Sequence, residues 1–349
     1  MGRPLPEGID DIDAAWLAEV TGLDIDTIAV EQIGVGIGVS SAVYRVRLEG
    51  RDCPPTLIVK LPALAPEAVF TSTVLRMYVR EVRFFERLAA RSPIRVPTYW
   101  YADVDPEGGR FVVVMEDLGH CRSVDQIVGM EAADAARAVD ELAAWHAAFW
   151  GEAEALVDEG VAVSLGDPIY PAVLPAVFAE GWEKVTTGLD LAPEVLTVGP
   201  RWTDLLPGLL DRLASGPTTV AHGDYRADNI FFADDGSVAL LDFQLIGAGR
   251  AAYDLAYFVT MSLAPEVASA HERDLFDRWL SGLHAGGVTE ADTTGAWDDY
   301  RAAALFCLVY PVVASRGMDL DDPRQRALLD VMNQRFGRAV RELDLAEFL

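Results

Sequence analysis

Apolar and polar positions change their period several times along this chain, and each change predicts a new element. Residues 11–30 read as a short helix and a connector. From Glu31 the text becomes β-rich and punctuated by glycine, "EQIGVGIGVSSAVYRVRLEG" and then "PPTLIVKLP". Val43, Val46 and Leu48 with Ile58 and Val59 predict two antiparallel strands joined by a loop at Gly50 to Pro55. A helical stripe follows in "TSTVLRMYVREVRFFERLAA", where Val74, Leu75, Tyr78, Val82, Phe85 and Leu88 share one face. "VPTYWYADV" and "GRFVVVMEDLG" predict a second hairpin with its loop at Asp105 to Gly109. Strands, one helix and strands again describe a compact α+β domain closing near residue 117.

Beyond Gly119 the pattern turns helical. "EAADAARAVDELAAWHAAFW" is alanine-rich with an apolar face, and residues 151–216 carry short helical stretches broken by Gly and Pro. "AAALFCLVYPVVA" is too short to span a bilayer and contains Pro311, so it is expected as a buried helix. The expected division is an N-terminal lobe over 1–117 and a C-terminal lobe over 118–349.

Inside the helical half lies one β-like stretch, "HGDYRADNIFFADDGSVALLDFQ". Its apolar runs, Ile230 to Ala233 and Val238 to Leu241, flank Asp-Asp-Gly and predict a hairpin. A two-residue turn at Asp235-Gly236 would set Asn229 opposite Asp242, with Cβ atoms about 5 Å apart. A three-residue turn would shift that register by one. An amide oxygen and a carboxylate held together on rigid strands suit a hard cation such as Mg²⁺.

Composition narrows the field. The chain of 349 residues is 51% hydrophobic and 24% charged, ordinary for a globular protein. Its formal charge of −27 argues against binding nucleic-acid backbones. Three scattered cysteines, Cys53, Cys121 and Cys307, suggest neither disulfides nor a metal cluster, and "MGRPLPEGIDDIDAAW" lacks the apolar core of a signal peptide. A cytoplasmic setting without a membrane is the expectation. Of 28 basic side chains only Lys60 and Lys184 are lysines, so a lysine within the strand "LIVKLP" invites a specific reason.

The motifs, read in order, resemble the protein-kinase-like fold, and within it the aminoglycoside phosphotransferase and choline kinase family. "HGDYRADN", "LLDFQ", "AAYDLAYF", Lys60 in "LIVKLP" and Glu81 in "VREVRFFERL" carry the resemblance over roughly residues 30–260. "HGDYRADN" looks nearest the ecdysteroid-kinase-like and hydroxyacyl-kinase-like relatives. The resemblance implies a two-lobed α+β fold and transfer of a γ-phosphate from ATP or GTP, with Mg²⁺, to a small-molecule hydroxyl. It implies no obligatory protein partner.

In the same terms Asp224 would accept or orient the acceptor hydroxyl, and Asn229 and Asp242 would hold the metal. Lys60 would reach the α- and β-phosphates, held by Glu81, where a compact ammonium fits better than a planar guanidinium. Gly34, Gly36, Gly38, Ser40 and Ser41 would cover the phosphates. The backbone at Glu116 and Leu118, with Met115 behind, would take the base. His222 would bond the loop backbone, Asp254 would cap a helix and brace the loop, and Asp228 would bond within the loop or, by preference, face solvent. Protein kinases carry arginine where this chain has Gly223, an arginine that senses a phosphorylated loop, so no such switch is expected here. Asp292, Asp298, Asp299, Asp319, Asp321 and Asp322 read more readily as solvated surface than as a draw for amines, and a choline-like cation would need Trp297 and Tyr300. "LFCLVYPVV" would suit a lipophilic acceptor. A rival reading is a catalytically silent nucleotide-binding regulator, whose mark would be a replaced Lys60, Asp224, Asn229 or Asp242; none is replaced.

Overall fold

A computed structural model describes residues 5–34, 40–105 and 107–349. The chain divides into two compact units. The first comprises 1–122, 233–235 and 239–245; the second comprises 123–232, 236–238 and 246–349.

In the first unit α1 (Ala14–Thr21) precedes β1 (Asp24–Ile33), β2 (Ser41–Arg51) and β3 (Thr56–Pro62). Then come α2 (Pro66–Val74), α3 (Met77–Arg87), β4 (Tyr99–Val104) and β5 (Phe111–Glu116). The five strands form one antiparallel sheet in the order β1-β2-β3-β5-β4. Side chains alternate across a strand, and the two faces here differ sharply. Ala42, Tyr44, Val46 and Leu48 of β2, Leu57, Val59 and Leu61 of β3, and Val112 and Val114 of β5 share a core with Trp16 and Leu17 of α1. The register pairs Val43 with Lys60, Arg45 with Ile58, Ile58 with Met115 and Lys60 with Val113, so these residues share the opposite face. The strand that buries Val59 therefore carries Lys60 to the other side, where α3 supplies its partner.

Two expectations change here. The segment read as a connector is strand from Asp24 onward, an edge strand with little burial to show in its pattern. The single helix predicted over 71–90 is two, because Arg76 adopts a left-handed conformation (φ 55°) between α2 and α3. Buried Arg80 donates from Nη2 to the Leu75 carbonyl (2.8 Å), satisfying an acceptor the first helix leaves open.

The second unit is mainly helical. Past β6 (Arg122–Ser123), a two-residue strand at the division, come α4 (Ala132–Ala148), α5 (Ala153–Asp158), α6 (Ile169–Gly188), α7 (Pro193–Val198) and α8 (Trp202–Ala214). After the loop region follow α9 (Ala252–Ser262), α10 (Pro265–Ala285), α11 (Ala296–Phe306), α12 (Val309–Ser315) and α13 (Pro323–Glu342). Strands β7 (Val163–Ser164) and β8 (Thr219–Ala221) flank β11 (Gly247–Gly249), parallel and antiparallel respectively. The run "AAALFCLVYPVVA" is buried but is not one helix. α11 stops at Phe306 and α12 restarts at Val309, which leaves Pro311 in a first turn, where its missing N–H costs nothing. β9 (Ile230–Phe232) and β10 (Val238–Leu240) are the successive strands read from the sequence, joined by residues 233–237. Among the described residues no helix is long and apolar enough to cross a membrane.

Candidate functional site

The first constellation lies wholly in the first unit. Lys60 Nζ donates to Glu81 Oε1 at 2.5 Å and to Asp242 Oδ1 at 3.3 Å. The Lys60 and Glu81 side chains are 6% and 1% exposed. Burial opposes the ammonium, but the charges of Asp242 and Glu81 outweigh it and hold the Lys60 pKa above the ordinary lysine value. Glu86, the other glutamate of α3, pairs with Arg83 at the surface. Lys184, the chain's other lysine, donates to the Met318 carbonyl in the second unit.

Asp242 sits in the left-handed region (φ 65°), which aspartate tolerates better than most residues. Phe243 stacks on Phe84 of α3 with ring centroids 3.5 Å apart and meets Phe85 edge-on. Gln244, 2% exposed, accepts from Ser40 Oγ (2.6 Å) and donates to Ser41 Oγ. Ser40 and Ser41 thus have described places; Gly36 and Gly38 lie outside the described residues. Farther along, Met115 is buried against Ile58, and the Glu116 carboxylate accepts from Arg95 Nη2 (2.6 Å) and Thr98 N (3.1 Å). Leu118 is buried, and no described residue accepts from its N–H.

The second constellation belongs to the second unit, and its sequence explains its shape. In 223–229 burial alternates: Gly223, Tyr225, Ala227 and Asn229 are buried, whereas Asp224, Arg226 and Asp228 are partly exposed. The inward residues anchor the loop. Tyr225 Oη donates to the Ala138 carbonyl (2.7 Å), and the Ala227 N–H donates to Ser262 Oγ (3.0 Å). Gly223 has φ 84°, a conformation that arginine would adopt only under strain. The outward residues form a charged set. Arg226 Nε meets Asp224 Oδ2 at 3.2 Å and Nη1 meets Asp228 Oδ2 at 2.7 Å. Tyr257 Oη donates to Asp224 Oδ1 (2.9 Å), and Asn229 Nδ2 donates to Asp224 Oδ2 (2.8 Å). Burial works to raise the Asp224 pKa, but the Arg226 charge and the Tyr257 hydrogen bond hold it below the ordinary aspartate value. Asp224 is therefore a carboxylate at neutral pH, able only to accept.

Behind the loop, buried Asp254 accepts from the His222 N–H (2.7 Å), the Gly223 N–H (2.9 Å) and His146 Nε2 (3.1 Å). Trp279 Nε1 donates to His146 Nδ1 (3.1 Å), which leaves the His146 proton on Nε2. His222 Nδ1 accepts from the Asp224 N–H (3.2 Å). Asp254 is a brace but not an N-cap: that position is Ala251, and Asp254 lies within the first turn of α9. Asp254→Asn keeps the shape yet points an amide N–H at other donors. Denaturant melts should show a loss of about 1–3 kcal/mol, the cost of leaving buried donors unmatched.

Three sequence expectations are revised. Asp228 does not simply face solvent; it accepts from Arg226 and from the Gln126 N–H (3.1 Å). Trp297 and Tyr300 stack on each other, with the Arg273 guanidinium over Trp297 at 4.6 Å and the Tyr300 hydroxyl on Glu272, so this pair already holds a cation. Of the acidic positions offered to amines, Asp299 is held by Arg212 and Arg250, Asp298 lies near Arg301, and Asp322 caps α13. Arg226 escaped the sequence reading altogether. Its signal was the alternation of charged with small or aromatic residues in "DYRAD".

Each unit by itself leaves an oxygen acceptor of the kind a hard cation takes. Asn229 spends its amide N–H groups on Asp224, and no described residue donates to its oxygen; Asp242 spends only Oδ1 on Lys60. Among the described residues no group of three or more His, Cys, Asp or Glu could hold a metal.

The family model of the phosphotransferase enzymes matches residues 31–297. No curated protein sequence matches. Solved structures with the same fold include the aminoglycoside phosphotransferase APH(2″)-IIIa, as a complex with GDP and kanamycin. It shows 14% identity, coverage of 94% of this chain and 98% of that one, and a TM-score of 0.55. Spectinomycin phosphotransferase APH(9)-Ia, with ADP and spectinomycin, gives 11% identity, 96% and 98% coverage, and a TM-score of 0.53. Choline kinase from Cryptosporidium parvum gives 13% identity, 90% and 88% coverage, and a TM-score of 0.51. At such identities these structures speak to the fold, a kinase-like one with a β-sheet unit and a helical unit. The family model spans well over half of the sequence, and the chain belongs to the phosphotransferase enzyme family.

Proposed function

We propose that this chain transfers the γ-phosphoryl group of ATP or GTP to a hydroxyl of a small molecule, with the first constellation's residues suited to the nucleotide and the second's to the acceptor. The observation that carries the reading is Asp224: a largely buried carboxylate kept ionised by Arg226, on a loop anchored from within. Such a group accepts a hydrogen bond from an incoming hydroxyl and orients its oxygen. The acceptor O–P bond forms as the bond from γ-phosphorus to the bridging oxygen breaks, and the hydroxyl proton leaves to Asp224 or to water. Arg226 supplies positive charge beside the carboxylate. Lys60, fixed by Glu81, takes the α- and β-phosphates, and the Leu118 N–H offers a donor to the base. Asp242 in the first unit and Asn229 in the second are each proposed as an oxygen donor to Mg²⁺, which would neutralise phosphate charge when bound.

For the acceptor, arginine partners and a helix cap already occupy several of the acidic side chains, and Arg273 occupies the Trp297 face, so these residues do not favour a cation. An uncharged or lipophilic hydroxyl compound is the reading they support. The test is nucleotide consumption with kanamycin, spectinomycin, choline, sugars and hydroxylated lipids, with Asp224→Asn as control. A compound that raises turnover only in the wild type supports the reading. Nucleotide binding with no acceptor response, and no effect of Asp224→Asn, would instead favour a silent regulator.

A further inference from the structure

Three consecutive residues after β10 each hold a different element of the first unit. Asp242 bonds Lys60 on β3; Phe243 stacks on Phe84 of α3; Gln244 bonds the Ser40 and Ser41 hydroxyls, Ser41 being the first residue of β2. The last of these is unusual in reach. Gln244 lies 204 residues from Ser40 in sequence, is 2% exposed, and uses both its amide oxygen and its amide nitrogen. Ser40 is held from another side as well: Tyr78 Oη donates to its carbonyl (2.7 Å) and accepts from the Ala63 N–H (3.1 Å). The serines that end the glycine-rich segment are thus tied to α3 and to the stretch carrying Asp242.

We propose that Gln244 is a positioning residue for the nucleotide: its side chain sets Ser40 and Ser41 in fixed register with Lys60 and Asp242. The proposal rests on the reading of Lys60 and Asp242 as phosphate and metal residues. A glycine at position 244 would leave the serines untied and the chain after Asp242 free to turn. The amide is suited to the task because it accepts from one hydroxyl while donating to the next, with no charge to desolvate beside Lys60 and Glu81. Glutamate would keep the bond from Ser40, lose the donor to Ser41 and add a negative charge to this buried cluster.

The experiment measures Mg-ATP and Mg-GTP binding directly by calorimetry, and kinetics with whichever acceptor the screen yields. Gln244→Ala should weaken nucleotide binding about tenfold, the scale of a buried hydrogen bond lost. The KM for the acceptor should stay within about twofold, since no acceptor contact is removed. Gln244→Glu should fall in the same direction. If Gln244 acts through the serines, Ser40→Ala with Ser41→Ala should reproduce the loss, and adding Gln244→Ala should deepen it little. Should Gln244→Ala fail to fold, the serine pair alone carries the test. Unchanged nucleotide affinity in a folded variant, an equal rise in both KM values, or additive losses would overturn the proposal. Failure of the underlying reading looks different: wild-type protein would bind neither nucleotide, and the positioning role would fall with it.

Discussion

Replacing Asp224 by Asn is expected to lower turnover by about 10²–10⁴-fold, the usual contribution of a positioned acid–base group. The substitution preserves size but removes the charge that Arg226 and Tyr257 face and gives the group an N–H of its own. Nucleotide affinity should change little if Asp224 serves the acceptor. The pH dependence has a definite sign. Because the folded-state pKa of Asp224 is depressed, its contribution to stability is complete above the unfolded value and is lost as pH falls through the folded one. Melts of wild type and variant should therefore differ at neutral pH and converge only on the acid side of the ordinary aspartate range. An Asn variant that turns over at the wild-type rate would remove Asp224 from the chemistry.

Lys60→Met is expected to abolish measurable turnover and to destabilise the first unit. With the ammonium gone, Glu81 must either stand as a charge in a site that admits almost no water or take up a proton, the direction in which burial and Asp242 already push it. Breaking a buried pair in this way costs about 3–5 kcal/mol, because the surviving charge is left uncompensated. Replacing both members, Lys60→Met with Glu81→Leu, should recover most of the stability, since two apolar side chains of similar volume need no desolvation. It should recover none of the nucleotide affinity. Denaturant melts and calorimetry with Mg-ATP separate the two effects. If the double variant binds nucleotide as the wild type does, Lys60 is a structural residue and the phosphate assignment is wrong.

What the sequence disclosed depended on whether a pattern was local. The apolar runs in "AVYRVRL" and "LIVKLP" were enough to mark two strands, and α4 was plain from its alanine-rich face, whereas only the strand pairing put Lys60 on the face opposite Val59. β1 was missed because an exposed edge strand lacks the buried face that makes alternation visible. The break at Arg76 was missed because a buried arginine four residues later, not a proline or glycine, ends the preceding helix. The bond from Gln126 to Asp228 and the bonds of Gln244 with Ser40 and Ser41 were out of reach, since these partners lie too far away in sequence for any spacing rule.

The two sides of the 223–229 loop answer to different demands. Three anchors, from Asp254, Ala138 and Ser262, hold the inward side of the loop from the protein interior. The outward flank adds two ties of its own, Tyr257 Oη to Asp224 and the Gln126 N–H to Asp228. Substitutions that spare these ties can therefore accumulate on the surface an acceptor would meet without unseating the loop. A lineage built this way can exchange one acceptor for another while its chemistry is inherited unchanged.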